Sequence, residues 1–324
     1  RTHIVATGAI ERLAIHLVNV PKKPASANVV DNSPPAIPDF KKISTSTTSP
    51  IDNRQRHEVL VKNAACWLED YQDEINTQTG SRWHTVIDSN GEQILHDRPI
   101  RFALHIPLKT KSAIVVELRI KAEIEPANLN ESFQRDKLEK TKPDALRELD
   151  ARLTAPVKIV AERGLHKYWN NKYKIKITDP DCGELVLPIQ YRIKWVDDDY
   201  HYKMGVRFDV DPEDFREEVY KNNIHVTPAT TEFTHAHELA HCLGLPDEYS
   251  PEKNDQRVVT YVKPDGRKDE AISTNIHANN RVNAHSNIMS SYGVATLKPR
   301  HAWQLPIEAQ EILSKRIGRK ITCD

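Results

Sequence analysis

The apolar positions along the chain fall into stretches of two periods. Residues 1–20 alternate apolar and polar, with Leu13, Ile15 and Leu17 on one side, the pattern of a single strand. From Asp52 the interval lengthens. Leu60, Ala64, Trp67, Leu68, Tyr71 and Ile75 recur at helical spacing until Gly80, which predicts a helix ending there. WHTVIDSNGEQILH predicts a hairpin turned at Asn90-Gly91, a pair that accepts positive φ. Val116, Leu118, Ile120, Ala122 and Ile124 alternate with charged residues and predict a half-buried strand. Residues 144–169 predict a helix, with Pro143 at its start and Gly164 as an interruption or cap. Two more alternations, Ile189 to Trp195 and Tyr202 to Val210, flank a turn at Asp197 to Tyr200 and predict a long antiparallel hairpin. Strands mixed with helices, one central helix and a helical C-terminus describe an α+β fold with a mixed or antiparallel sheet.

Between the first alternation and Asp52, residues 21–55 carry Pro21, Pro24, Pro34, Pro35, Pro38, Pro50 and the run STSTTSP. That composition cannot bury a core and reads as a linker or surface arm. The expected organisation is an N-terminal arm and linker over 1–55 and a main domain over 56–324, with 56–135 as an accessory β-rich subdomain. Composition narrows the function classes. The 46 basic and 46 acidic side chains cancel, so no field gathers phosphates, and nucleic acid and anionic membranes are set aside. The longest apolar runs, such as Ala113 to Val116, fall far below the roughly 18 residues of a membrane span, so no membrane insertion is expected. RTHIVATG has neither a starting methionine nor a signal-peptide layout, and the chain is expected to be part of a longer polypeptide or a processed product. Cys66, Cys182, Cys242 and Cys323 show no CxxC spacing and no disulfide framework, and their bridging stays open.

The chemistry concentrates in HELAHCLGLPDEY, residues 237–249. His237 and His241 lie four apart, so on a helix both imidazoles leave one face, one turn above the other. A tetrahedral zinc needs convergent nitrogens, and this spacing supplies two from a rigid element. Glu238, beside the first ligand, is placed to hold a water on the metal and take its proton. Thr230, Thr231 and Thr234 offer capping hydroxyls, and Gly244 suits the αL residue that ends a helix. With this many histidines HExxH would arise by chance roughly 0.05 times per chain, and requiring the glycine cuts that to roughly 0.002. Asp247 follows His241 by six residues. Glu248, His285 and His301 are the other candidates for a third ligand.

The full pattern HExxHxxGxxD resembles the metzincin zinc peptidases, and GLPDEY is most similar to the snapalysin type, in which an aspartate replaces the usual third histidine. The resemblance implies a metzincin-like α+β fold with a central HExxH helix, zinc held by His237, His241 and Asp247, and Glu238 as the catalytic residue. It also implies a methionine turn beneath the metal, a role that Met289 in NIMSSYG matches. A tyrosine that assists the metal lies two residues past that methionine in several metzincins. Here Tyr292 lies three past. The strand of 202–210 would serve as the edge that pairs with an extended peptide. The string HELAH…GLPDEY…NIMSSYG…RHAW further resembles the metallopeptidase extensions carried by type VI secretion spike proteins of the VgrG class.

The expected function is therefore a zinc-dependent endopeptidase acting on protein or peptide substrates. The second resemblance implies a secreted antibacterial toxin domain, delivered to the periplasm of a target cell and met there by a cognate immunity protein. Oxyanion support is expected from zinc with Tyr292, His301 or Tyr249. Two rivals remain: hydrolysis of a cell-wall amide by the same zinc site, and an adhesion or carrier module whose structural zinc would show four protein ligands. Other features read plainly. Cys242 is expected to be a buried small hydrophobe. His235 is expected to be solvated or capping. Asp197 to Asp199 form a solvated turn, and KRIGRK over 315–320 is the basic end of a helix.

Overall fold

The computed structural model describes residues 67–77, 82–94, 99–250, 257–269, 271–275, 287–290 and 295–324. The arm and linker over 1–55, the first alternation and His285 and Tyr292 lie outside them. The strands β1 (Tyr71–Thr77), β2 (His84–Ile87), β3 (Gln93–Ile94), β4 (Ile100–Ile106) and β5 (Ile114–Ile124) come first. Helices α1 (Leu129–Thr141) and α2 (Pro143–Trp169) follow, then β6 (Lys174–Asp179), β7 (Gly183–Trp195), β8 (Tyr202–Val206), β9 (Glu218–Tyr220) and β10 (Asn223–Val226). After α3 (Glu232–Cys242) come β11 (Val258–Tyr261), β12 (Ile272–Ser273), a 3-10 turn (Pro299–Ala302), α4 (Gln304–Ile317) and β13 (Thr322–Cys323). The fold is α+β. None of these helices is long and apolar enough to cross a membrane.

A nine-stranded mixed sheet runs β13-β6-β7-β5-β8-β10-β9, with β4 and β1 branching from β5. Within it β5 is the axis. Its even-numbered residues Ile114 to Ile124 are buried, and α2 packs over that face with Val157, Ala161, Leu165 and Trp169. The odd-numbered face carries ion pairs instead, Glu117 with Arg192 at 2.6 Å and Arg119 with Glu74 at 3.2 Å. The alternation read from the sequence is thus the alternation of the two faces. A second sheet, β12-β11-β2-β3, includes the expected hairpin, turned where Gly91 takes φ +81°.

Three local expectations are corrected. The helical spacing through Ile75 does not hold over its described part. Tyr71–Thr77 is a strand paired antiparallel with β4 along its whole length. Tyr71 and Ile75 are four apart, a spacing common to one helix face and one strand face, and pairing with β4 decides between them. Next, β7 and β8 do not form a hairpin. Both run parallel to β5, β7 along residues 114–120 and β8 along 120–124, so the chain steps across β5 without reversing. Period 2 reports which face a side chain takes and is silent on strand direction. Because β8 is flanked by β5 and β10, it is internal, and β9 ends the sheet.

Gly164, the third correction, neither interrupts nor caps α2. A Cβ there would stand 2.3 Å from the carbonyl oxygen of Glu232 in the first turn of α3. Glycine lets the two helices approach, and the Trp169 indole N–H fixes them by donating to the Ala236 carbonyl at 3.0 Å. An alanine would add about 1 kcal/mol of helix propensity, but overpacking a close contact costs about 1–3 kcal/mol. The obstacle is backbone, so the clash dominates. Gly164→Ala is expected to lower the urea midpoint of unfolding, and an unchanged midpoint would contradict this close packing.

Candidate metal centre

Helix α3 presents the site, and local chemistry sets both its ends. At its start Thr231 Oγ1 accepts from the Thr234 N–H at 3.2 Å. At its end Gly244 turns to φ +89°, the Gly244 N–H donates to His241 O at 2.9 Å, and the Leu245 N–H donates to Ala240 O at 3.1 Å. This is the paired closure of a left-handed C-terminal cap. A side chain at 244 would also collide with Trp83, 2.6 Å from an ideal Cβ. Trp83 is held in turn by Glu308 of α4, at 2.6 Å from its indole nitrogen. The Tyr202 hydroxyl, 3.0 Å from Cys242 O, ties the same helix end to β8.

The cap has a chemical consequence. It brings Leu245 O to 2.7 Å from His241 Nδ1, while Ile288 O stands 2.8 Å from His237 Nδ1. A carbonyl only accepts, so both Nδ1 atoms carry the proton, and on neutral rings both Nε2 atoms are bare acceptors. Those two Nε2 atoms lie 3.2 and 3.3 Å from the same atom, Asp247 Oδ1. The Asp247 side chain is 39% exposed, yet Oδ1 itself is buried. With neutral rings, three lone-pair atoms converge on one place, which is the ligand set of a cation site. Ligating atoms of His237, Glu238 and His241 lie within 4.8 Å of one another. Burial opposes the charged form of both groups, but Asp247 and Glu238 outweigh it and raise His237 to about 9, and the imidazoles hold Asp247 well below the usual carboxylate range, so without a metal a proton on His237 takes the place of the cation.

Glu248 and His301 are placed elsewhere. Glu248 is fully buried with Arg300 Nε at 2.7 Å, Asn287 Nδ2 at 2.9 Å and His301 Nε2 at 3.2 Å. Burial pushes its carboxyl up, but Arg300 and His301 hold it far below its ordinary value. Met289, also buried, sits in the turn over 287–290 that supplies the Ile288 carbonyl to His237. The Glu248 N–H donates to Met289 O at 2.9 Å.

The site opens on a cleft of about 380 Å³ walled by β9 and the residues before it, the exposed face of α3, Asp247, Tyr249 and Arg257. Glu238, though buried, contributes to that lining, as do Phe233 and Tyr220. Glu217 is fixed by the Thr230 hydroxyl at 2.8 Å, which joins the cleft wall to the start of α3. Sequence reasoning missed the part of this wall over 216–220, Asn287 and Arg300, and the two carbonyls. Only the glycine at 244 signalled one of them. Cys242 is buried, as expected. Cys182 is disulfide-bonded. Comparison of the chain with models of known families, with curated proteins and with solved structures finds no match.

His235 corrects another expectation. It is neither solvated nor capping but 1% exposed, with no hydrogen bond to either ring nitrogen, and burial lowers its pKa to about 4. It is a neutral core residue on the far face of α3. His235→Leu removes an unpaired buried polar group and is expected to raise the unfolding free energy by about 1 kcal/mol. A loss of stability in urea unfolding would show that the ring packs in a way leucine does not reproduce.

Proposed function

We propose that the chain is a zinc-dependent endopeptidase of metzincin-like fold, with zinc held by His237, His241 and Asp247 and with Glu238 as its general base. The observation that carries the reading is the convergence of three acceptors on one point beside Glu238, at the wall of an open cleft. Two imidazoles and one carboxylate suit zinc and leave a fourth position for a reactant, where a structural site would use four protein ligands. When bound, zinc polarises the scissile carbonyl and lowers the pKa of a water towards about 7. Glu238 takes a proton from the attacking water and delivers it to the leaving amine, since it lines the cleft one residue from a ligand. Strand β9, at the end of the sheet and in the cleft wall, offers an edge along which an extended peptide can lie. Tyr249, also in that wall with its ring 6.3 Å from His237, is the candidate oxyanion donor.

The disulfide at Cys182 supports an oxidising compartment and hence a secreted protein. The more specific reading, a type VI secretion toxin domain acting in the periplasm and countered by an immunity protein, rests on the sequence resemblance alone.

Two variants separate the roles. Asp247→Ala is expected to lose most of the zinc. Glu238→Gln keeps the metal and the fold while activity on a cleaved peptide falls by about 10²–10⁴-fold, the usual contribution of a general base. Cleavage assays beside metal analysis and circular dichroism decide this. A folded, zinc-loaded Glu238→Gln protein with wild-type activity would exclude the proposed mechanism.

A further inference from the structure

We infer that Glu248 and Arg300 are positioning residues for the metal centre, an inference that rests on the reading above: their buried pair sets where the Asp247 carboxylate and the Ile288 carbonyl stand. Glu248 is the residue after Asp247 and is fully buried, with its carboxylate on Arg300, Asn287 and His301 rather than on His237 or His241. Its carboxylate is clasped by the guanidinium fork of Arg300, at 2.7 and 2.5 Å. The same carboxylate accepts from Asn287 Nδ2 at 2.9 Å. Asn287 Oδ1 accepts from the Met289 N–H at 2.8 Å, and Met289 O accepts from the Glu248 N–H at 2.9 Å. The peptide that carries Ile288 O is therefore held to Glu248 on both sides. That carbonyl fixes the His237 ring.

Arg300 carries the tie to a third segment. It lies in the 3-10 turn with its guanidinium over the Tyr261 ring, 5.9 Å from the centroid. The Tyr173 hydroxyl donates to Lys298 O at 2.7 Å, which anchors the approach to that turn ahead of β6. Three separate stretches, 247–249, 287–290 and 298–301, thus meet at one carboxylate. Buried ion pairs are poor sources of net stability, because desolvation offsets their attraction. What this pair supplies is location: a fixed Asp247 on one side and a fixed hydrogen-bond acceptor for His237 on the other. Partners that orient metal ligands in this way commonly change affinity by 10–100-fold when lost.

The test uses the full chain with Glu248→Gln, which keeps shape but loses charge, and Arg300→Lys, which keeps charge but loses the fork. Circular dichroism establishes that each is folded. In both, Zn²⁺ affinity by chelator competition is expected to fall by about 10–100-fold, and the visible spectrum of the Co²⁺-loaded protein is expected to shift. In the metal-free protein, the hydrogen-bonded His237 ring proton seen by NMR is expected to lose its protection from exchange. Should either variant fail to fold, Asn287→Ala removes one strut and is expected to show the same three changes. A folded variant with wild-type affinity, an unshifted cobalt spectrum and a protected ring proton overturns the inference. Weakening by Glu248→Gln with no effect of Arg300→Lys would make Glu248 a ligand and overturn it as well. If the wild-type chain binds no Zn²⁺, the proposed function fails, while the ring proton in the metal-free variants still decides the positioning role.

Discussion

Two imidazole N–H groups donating to two backbone carbonyls are the constraint on which the site depends. With Nδ1 of His237 and His241 committed to Ile288 O and Leu245 O, both Nε2 atoms must turn the same way and offer lone pairs. Asp247 Oδ1 then meets them at hydrogen-bond distance, so that something positive must stand between the three atoms. A buried cluster of acceptors is unfavourable by itself, and a metal cation, or in its absence a proton on His237, resolves it. The chain builds this arrangement with a helix for the two rings, a glycine to fold back one carbonyl, and a turn at 287–290 for the other.

The rest of the fold serves to hold that helix still. Gly164 allows α2 to press against the first turn of α3, Trp169 binds its middle, and Tyr202 and Trp83 close on its end. The contacts come from α2, from β8 and from Trp83, which Glu308 of α4 holds, so α3 is fixed against the main sheet, α2 and α4 together. The cleft forms where the sheet runs out at β9.

The sequence made some of this legible and not the rest, for physical reasons. Helix α2 and strand β5 are long and strongly periodic, and both stand where the pattern put them. The strand at Tyr71–Thr77 was hidden because a four-residue spacing fits a helix and a strand alike, and pairing with β4 decides between them. The parallel step from β7 to β8 was invisible, since alternation carries no direction. At the site, the two histidines and Gly244 could be read from spacing, while the aspartate six residues on was singled out from Glu248, His285 and His301 only by the family resemblance. The Glu248–Arg300 pair could not, because its partners lie 52 residues apart in sequence. Nor did any signal show that His235, two residues from a candidate ligand, would be buried without a partner. A one-residue shift along the chain reverses which side of a loop a carboxylate takes, and Asp247 and Glu248 show both outcomes side by side.

The central claim is that three protein atoms converge on one cation, and X-ray absorption at the zinc edge of protein purified without chelator measures it most directly. The account predicts zinc at close to one per chain, with two imidazole nitrogens at about 2.0–2.1 Å, one carboxylate oxygen and no sulfur. Protein that carries no zinc, or zinc whose spectrum shows sulfur ligands or a single imidazole, would contradict it.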